Sequence, residues 1–239
     1  MEPHASIEPP AASAAVILRT AMGICRRRAR TLVLVGLVLF APLGALEAAA
    51  VGVVDDGFER GDDTFAIGVY LWVSLIMFGS AMCAGLVDTV VGHEFGEEDL
   101  ELHRAIRTLP YVHLIGVDIA QALVIGTASV FGFLPGLIGF TLTCLAGSLV
   151  MIERLSGWTA LRRSVHLTRR RVGLTLLVVS LPVAVEHQVL HAVGVWFDPG
   201  FVVLWVLHAS FAILVLVPVV VIEITLARAL IHDQRMGLR

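Results

Sequence analysis

Long apolar runs separated by arginine-bearing segments constrain this chain more than any other feature. The runs fall at about 31–54, 65–92, 111–131, 136–152, 172–195 and 201–231. All but 136–152 are long enough to cross a hydrocarbon layer of ~30 Å at ~1.5 Å per helical residue, and that run lies at the short end of the lengths that span. Lipid offers the backbone no hydrogen-bond partners, so a crossing segment must close its own bonds as a helix. The predicted fold is therefore all-α: a polytopic membrane helical bundle of six transmembrane helices arranged as three antiparallel hairpins, with short interfacial amphipathic helices. Composition agrees, because 57% of the 239 residues are hydrophobic and only 15% charged, whereas a soluble domain carries charge on roughly a quarter of its positions.

The membrane domain is expected over 14–235. Residues 1–13, with Pro3, Pro9 and Pro10, read as a disordered tail, and 236–239 as a short C-terminal tail. An arginine-rich stretch before an apolar run also describes a secretory signal, but the first run is long enough to stay as a span. Asp55 to Asp63 reads as a solvated acidic hairpin loop. The short turn around Pro135-Gly136 makes spans three and four antiparallel neighbours.

All 17 basic residues are arginine, which hints at a GC-rich genome. With six spans, sixteen of them fall on the side that holds both termini and only Arg60 on the other. Both termini are thus expected in the cytosol of a multi-pass cell-membrane protein. Trp158 and Trp196 suit the inner and outer interfaces. Cys25, Cys83 and Cys144 have neither short-range pairing nor CxxC spacing and read as apolar fillers.

The stretch from Ile17 through Arg26-Arg27-Arg28 superimposes without a gap on Ala160 through Arg169-Arg170-Arg171, and Leu102 to Ile106 is a fainter copy. Each even span carries one acid near its inner end: Asp88, Glu153 and Glu223. This predicts three repeats, each a hairpin introduced by a helix along the cytoplasmic surface. In the second copy Ser156 is an N-cap candidate, and Trp158, Leu161, Val165, Thr168 and Val172 form the apolar stripe. Arg162, Arg163, Arg169, Arg170 and Arg171 are left as candidate contacts for anionic headgroups. Glu153 needs a partner at the membrane edge, and Arg162 or Arg163 can clamp it.

The string Glu153, Gly157, Ala160, Leu161, Arg163, Ser164, Leu167 and Arg169 to Arg171, with Pro135-Gly136 and the closing Ala229 to Arg235, resembles a known group. It is similar to the six-span membrane domain found beside some glycerophosphodiester phosphodiesterases and in many uncharacterised bacterial and archaeal membrane proteins. Three positions depart from that pattern: Ser148 stands in place of proline, His232 of an aromatic residue and Gln234 of leucine. The resemblance implies a prokaryotic integral membrane protein and a topology. No phosphodiesterase domain accompanies these residues, so it implies no activity.

The sequence holds no HExxH, GxSxG or GxGxxG, and without lysine it has no phosphate-binding loop of the Walker type. Glu97-Glu98 is followed by Leu102, where the paired-glutamate motif of intramembrane prenyl-protein proteases needs arginine. No catalytic residue, metal site or cofactor is expected, and no nucleic acid partner.

One polar set lies at similar depth in the outer leaflet. Glu47 falls ~24 Å from the inner boundary, Glu186 and His187 ~22 Å from it, and His208 ~10 Å below the outer one. His191 sits one turn from His187. Asp118 and Gln121 share a face of span three, ~12 Å from the inner boundary. Ionisable groups at such depth are costly and read either as packing or as functional groups. The expectation is a non-catalytic accessory, scaffold or regulatory component in contact with membrane lipids and a possible membrane-protein partner. The alternative is a small carrier of an ion, metal or lipid.

Overall fold

The computed structural model describes residues 13–60, 75, 79, 82–96, 106–129, 131–197 and 200–237. All regular structure among them is helical. In chain order the helices are α1 (Ala14–Arg27), α2 (Ala29–Arg60), α3 (82–94), α4 (Tyr111–Ser129), α5 (Phe133–Thr143), α6 (Ala146–Glu153), α7 (Gly157–Thr168), α8 (Val172–Thr175), α9 (Leu181–Phe197), α10 (Phe201–Phe211) and α11 (Val217–Arg235). Five stretches are long and apolar enough to cross a membrane: Ala29–Ala50, Tyr111–Ala128, Phe133–Glu153, Val172–Leu190 and Phe201–Arg235. Most of the expected second span, 65–92, lies outside the described residues, as do Glu97, Glu98, Leu102 and residues 1–12.

Two expectations need correction. The helix that begins at Ala29 continues to Arg60, so the acidic stretch read as a loop from Asp55 is helical over 55–60. Once a helix is nucleated each further residue adds a hydrogen bond, and this outweighs the poor propensity of Asp and Gly there. Span four is not one helix but α5 and α6, broken at Cys144-Leu145. Before the break the side chains of Thr141, Thr143 and Cys144 bond back to the carbonyls of Leu137, Gly139 and Thr141. Such back-bonding competes with the helix ladder and bends it.

The core lies where α3, α6 and α11 meet. Val87, Val90, Leu145, Leu149, Val221 and Ile224 are all buried at 1% exposure or less. Of the membrane-length stretches, 56% of the Phe133–Glu153 window and 50% of the last are buried, against 22% for Tyr111–Ala128 and 29% for Val172–Leu190. Helices of runs four and six thus sit at the centre, and those of runs three and five at the periphery with apolar faces outward. Val112, Ile119 and Leu123 on α4 are exposed.

The helices around Pro182 and Pro218 widen in the same way, whereas α2 carries Pro42 without a π turn. Five residues of π-helix, Leu176–Ser180, end two positions before Pro182, and five more, Ala212–Leu216, end two positions before Pro218. Proline lacks the N–H and its ring collides with the carbonyl four residues back. A π turn shifts that carbonyl aside and re-pairs the ladder within the segment.

The first and last membrane helices lie together. Gly44 lets α2 approach α10 so closely that a Cβ there would lie 3.1 Å from the Ala209 backbone nitrogen, the close contact that small residues permit between membrane helices. The Trp205 indole donates to the Ala41 carbonyl at 2.6 Å across the same contact.

Candidate functional site

The polar groups of the described bundle concentrate at the ends of the central helices, and most are paired. Glu153 at the end of α6 receives two parallel bonds from Arg163, Nε to Oε2 and Nη2 to Oε1, both 3.0 Å. Of the two expected candidates Arg163 is therefore the clamp. Arg162 stacks on Trp158 instead, 5.3 Å from the ring centre. Asp88 on α3 accepts from Arg228 Nη2 at 2.9 Å, with both side chains largely buried. Arg228 also lies over the Phe95 ring. Glu223 on α11 accepts from Ser148 Oγ on α6 at 2.6 Å. Ser148 is one of the departures from the family pattern, and its hydroxyl is what ties the central acid to the neighbouring helix.

A fourth acid, Glu94, joins the ends of α3 and α1: Arg27 Nε and Arg28 Nε donate to its two oxygens at 2.9 and 2.6 Å. Partial burial pushes this carboxyl up, and the hydrogen bonds and charges of Arg28 and Arg27 outweigh that, so its pKa lies below the ordinary 4.5. The sequence reading missed Glu94, Ser148 and Arg228 as partners. Arg228 carried a signal, because a charge inside an apolar run needs a counter-charge and Asp88 is the acid at matching depth.

The residues that carry the family resemblance serve chiefly to dock α7. A Cβ on Gly157 would stand 3.3 Å from the Val117 backbone nitrogen, so only glycine lets α7 start this close to α4. Ala160, Leu161, Ser164, Leu167 and Thr168 form the buried face. This corrects the expected stripe: Trp158 and Val165 are exposed on the far side. The reason is the break in span four. It frees carbonyls that lipid cannot satisfy, and Ser164 and Thr168 donate to the Leu142 carbonyl at 2.8 and 3.1 Å. Gln121 of α4 completes the repair, donating to the Thr143 carbonyl at 2.9 Å.

The first copy follows the same register. α1 and α7 start 143 positions apart (Ala14, Gly157), as do the helices that follow (Ala29, Val172). Ile17, Ala21 and Ile24 are buried where Ala160, Ser164 and Leu167 are, and α1 packs along α11.

Of the expected outer-leaflet set, Glu186 and His208 are buried and each is engaged by further interactions. The side chains of Glu47, His187 and His191 lie outside the described residues. Among the described residues no group of three or more His, Cys, Asp and Glu could hold a metal ion. Asp118 is buried, and its Oδ2 has no hydrogen-bond partner among the described residues. It shares its helix face with Gln121 but not Gln121's role.

Arg169, Arg170 and Arg171 are exposed and form no ion pair among the described residues. Arg170 and Arg171 line an open cleft of about 640 Å³ between the end of α7 and the end of α11. No protein-family model, curated protein or solved structure matches this chain.

Proposed function

We propose that this chain is a six-span integral protein of the cell membrane, with both termini in the cytosol, that acts as a non-catalytic accessory, scaffold or regulatory component. Its spans form three hairpins, each introduced by an amphipathic helix seated on another hairpin, in a prokaryotic membrane domain of the glycerophosphodiester phosphodiesterase-associated kind. The docking of α7 on α4 to α6, of α1 on α11, and the shared register of the two copies support that arrangement.

The observation that carries the functional reading is where the inner polar groups go. Asp88, Glu153 and Glu223 each have a partner on another helix, and Gln121, Ser164 and Thr168 repair a broken helix. Groups committed to holding helices together are not available to a passing substrate.

A carrier of an ion, metal or lipid is the second reading, and one observation favours it: the buried Asp118 oxygen without a described partner. Such groups in membrane interiors mark proton and ion paths. Alanine at Glu186 and His208, and asparagine at Asp118, separate the two in proteoliposomes. A scaffold keeps its ion, proton and lipid fluxes at the background of empty vesicles in wild type and variants alike. A wild-type flux that Asp118→Asn abolishes in an intact protein establishes the carrier instead.

A further inference from the structure

We propose that the cleft between α7 and α11 binds the headgroup of an anionic phospholipid, with its phosphate on Arg170 and Arg171. The inference rests on the membrane reading above and adds a ligand class and an address to it.

Three observations lead there. First, five of the described arginines are already engaged. Arg27, Arg28, Arg163 and Arg228 are paired to carboxylates and Arg162 to an aromatic ring. Arg170 and Arg171 have no such partner among the described residues, although both line a formed cleft. An unpaired guanidinium presents a fork of donors matched to phosphate oxygens.

Second, the cleft is amphipathic in the sense a lipid is. Buried Leu167 and Leu230 supply apolar walls, and Arg170 and Arg171 supply a cationic rim. Third, Asp233 lines the same cleft without forming an ion pair to either arginine. Its carboxylate can accept hydrogen bonds from a hydroxylated headgroup, and although it lowers the local positive charge, the two arginines still outnumber it. At about 640 Å³ the cleft is of a size that holds a small ligand.

Free phosphate and a lipid headgroup share the oxyanion that the arginines recognise, and the apolar walls favour the lipid. The test uses the full chain in nanodiscs of phosphatidylcholine alone, of phosphatidylcholine with phosphatidylglycerol, and of phosphatidylcholine with inorganic phosphate in the buffer. Native mass spectrometry reads the retained lipid and thermal unfolding reads stabilisation. Wild-type protein is expected to retain phosphatidylglycerol and to be stabilised by it. R170Q/R171Q weakens that retention by at least about tenfold, while R19Q/R26Q, which removes the same charge outside the cleft, leaves it within about twofold.

Equal retention by R170Q/R171Q and wild type, or an equal loss in R19Q/R26Q, overturns the site. Stabilisation by inorganic phosphate without any response to phosphatidylglycerol overturns the lipid. A chain that inserts into discs but ignores phosphatidylglycerol defeats this inference alone, whereas a chain that cannot be placed in discs defeats the membrane reading too.

Discussion

Arg228 and Asp88 show what a charge inside an apolar helix demands. With both side chains largely out of reach of water, each offsets part of the cost of burying the other. Breaking a buried pair from one side costs about 3–5 kcal/mol, while replacing both members with apolar residues of similar shape can be near neutral. Asp88→Leu and Arg228→Met are thus expected to destabilise strongly as single changes and to recover most of the loss together, read as a double-mutant cycle on unfolding in detergent. Additive single effects would mean that the two side chains act independently. The sequence disclosed the three inner acids and the need of Glu153 for arginine, because an acid beside an apolar run is conspicuous. It did not disclose which arginine, since Arg162 and Arg163 are adjacent and only the buried face of α7 decides between them. Ser148 was legible only as a departure from a pattern, because a hydroxyl in an apolar run carries no mark of its acceptor.

Among the elements, α7 repays the closest attention. Its amphipathic composition suggested a helix afloat at the interface, and its arginine face supports that. Its other face is fixed by a defect elsewhere, the break at Cys144-Leu145, which no proline announces and which periodicity therefore could not reveal. Ser164→Ala with Thr168→Ala removes both hydroxyls that reach the Leu142 carbonyl. The expected cost is about 1–3 kcal/mol, with faster hydrogen exchange confined to α5, α6 and α7; uniform exchange across the bundle would count against this docking role. The α1 tie has its own signature. Glu94 has its pKa depressed in the folded protein, so the stability it contributes is present above the ordinary 4.5 and is lost as pH falls through the folded value. Amides of α1 should stay protected from neutral pH down through the ordinary carboxylate range and exchange faster only in stronger acid. Glu94→Gln should remove that acid step, and its persistence in this variant would assign the step to another group.

For the molecule as a whole, the sequence conveyed the all-helical class and the presence of several helices long and apolar enough to cross a membrane, because these follow from apolar length alone. The order of packing could not be read so directly. Nothing in the pattern of residues says that runs four and six go to the centre, a property of tertiary contacts between faces that are apolar all round. The registered copies at α1 and α7 were visible as arginine clusters, and their matched burial gives that repetition physical content.

One contact bears on how such a chain is made. Trp205 reaches Ala41, and α1 rests on α11, so the earliest membrane segments wait for the last ones before they meet their final neighbours. During synthesis the opening helices have only lipid for company on those faces, and a ribosome that stalls before Phe201 leaves behind a product with an unfilled seam. The faces of α1 and α2 that meet α10 and α11 are therefore covered only when the helices after Phe201 are in place.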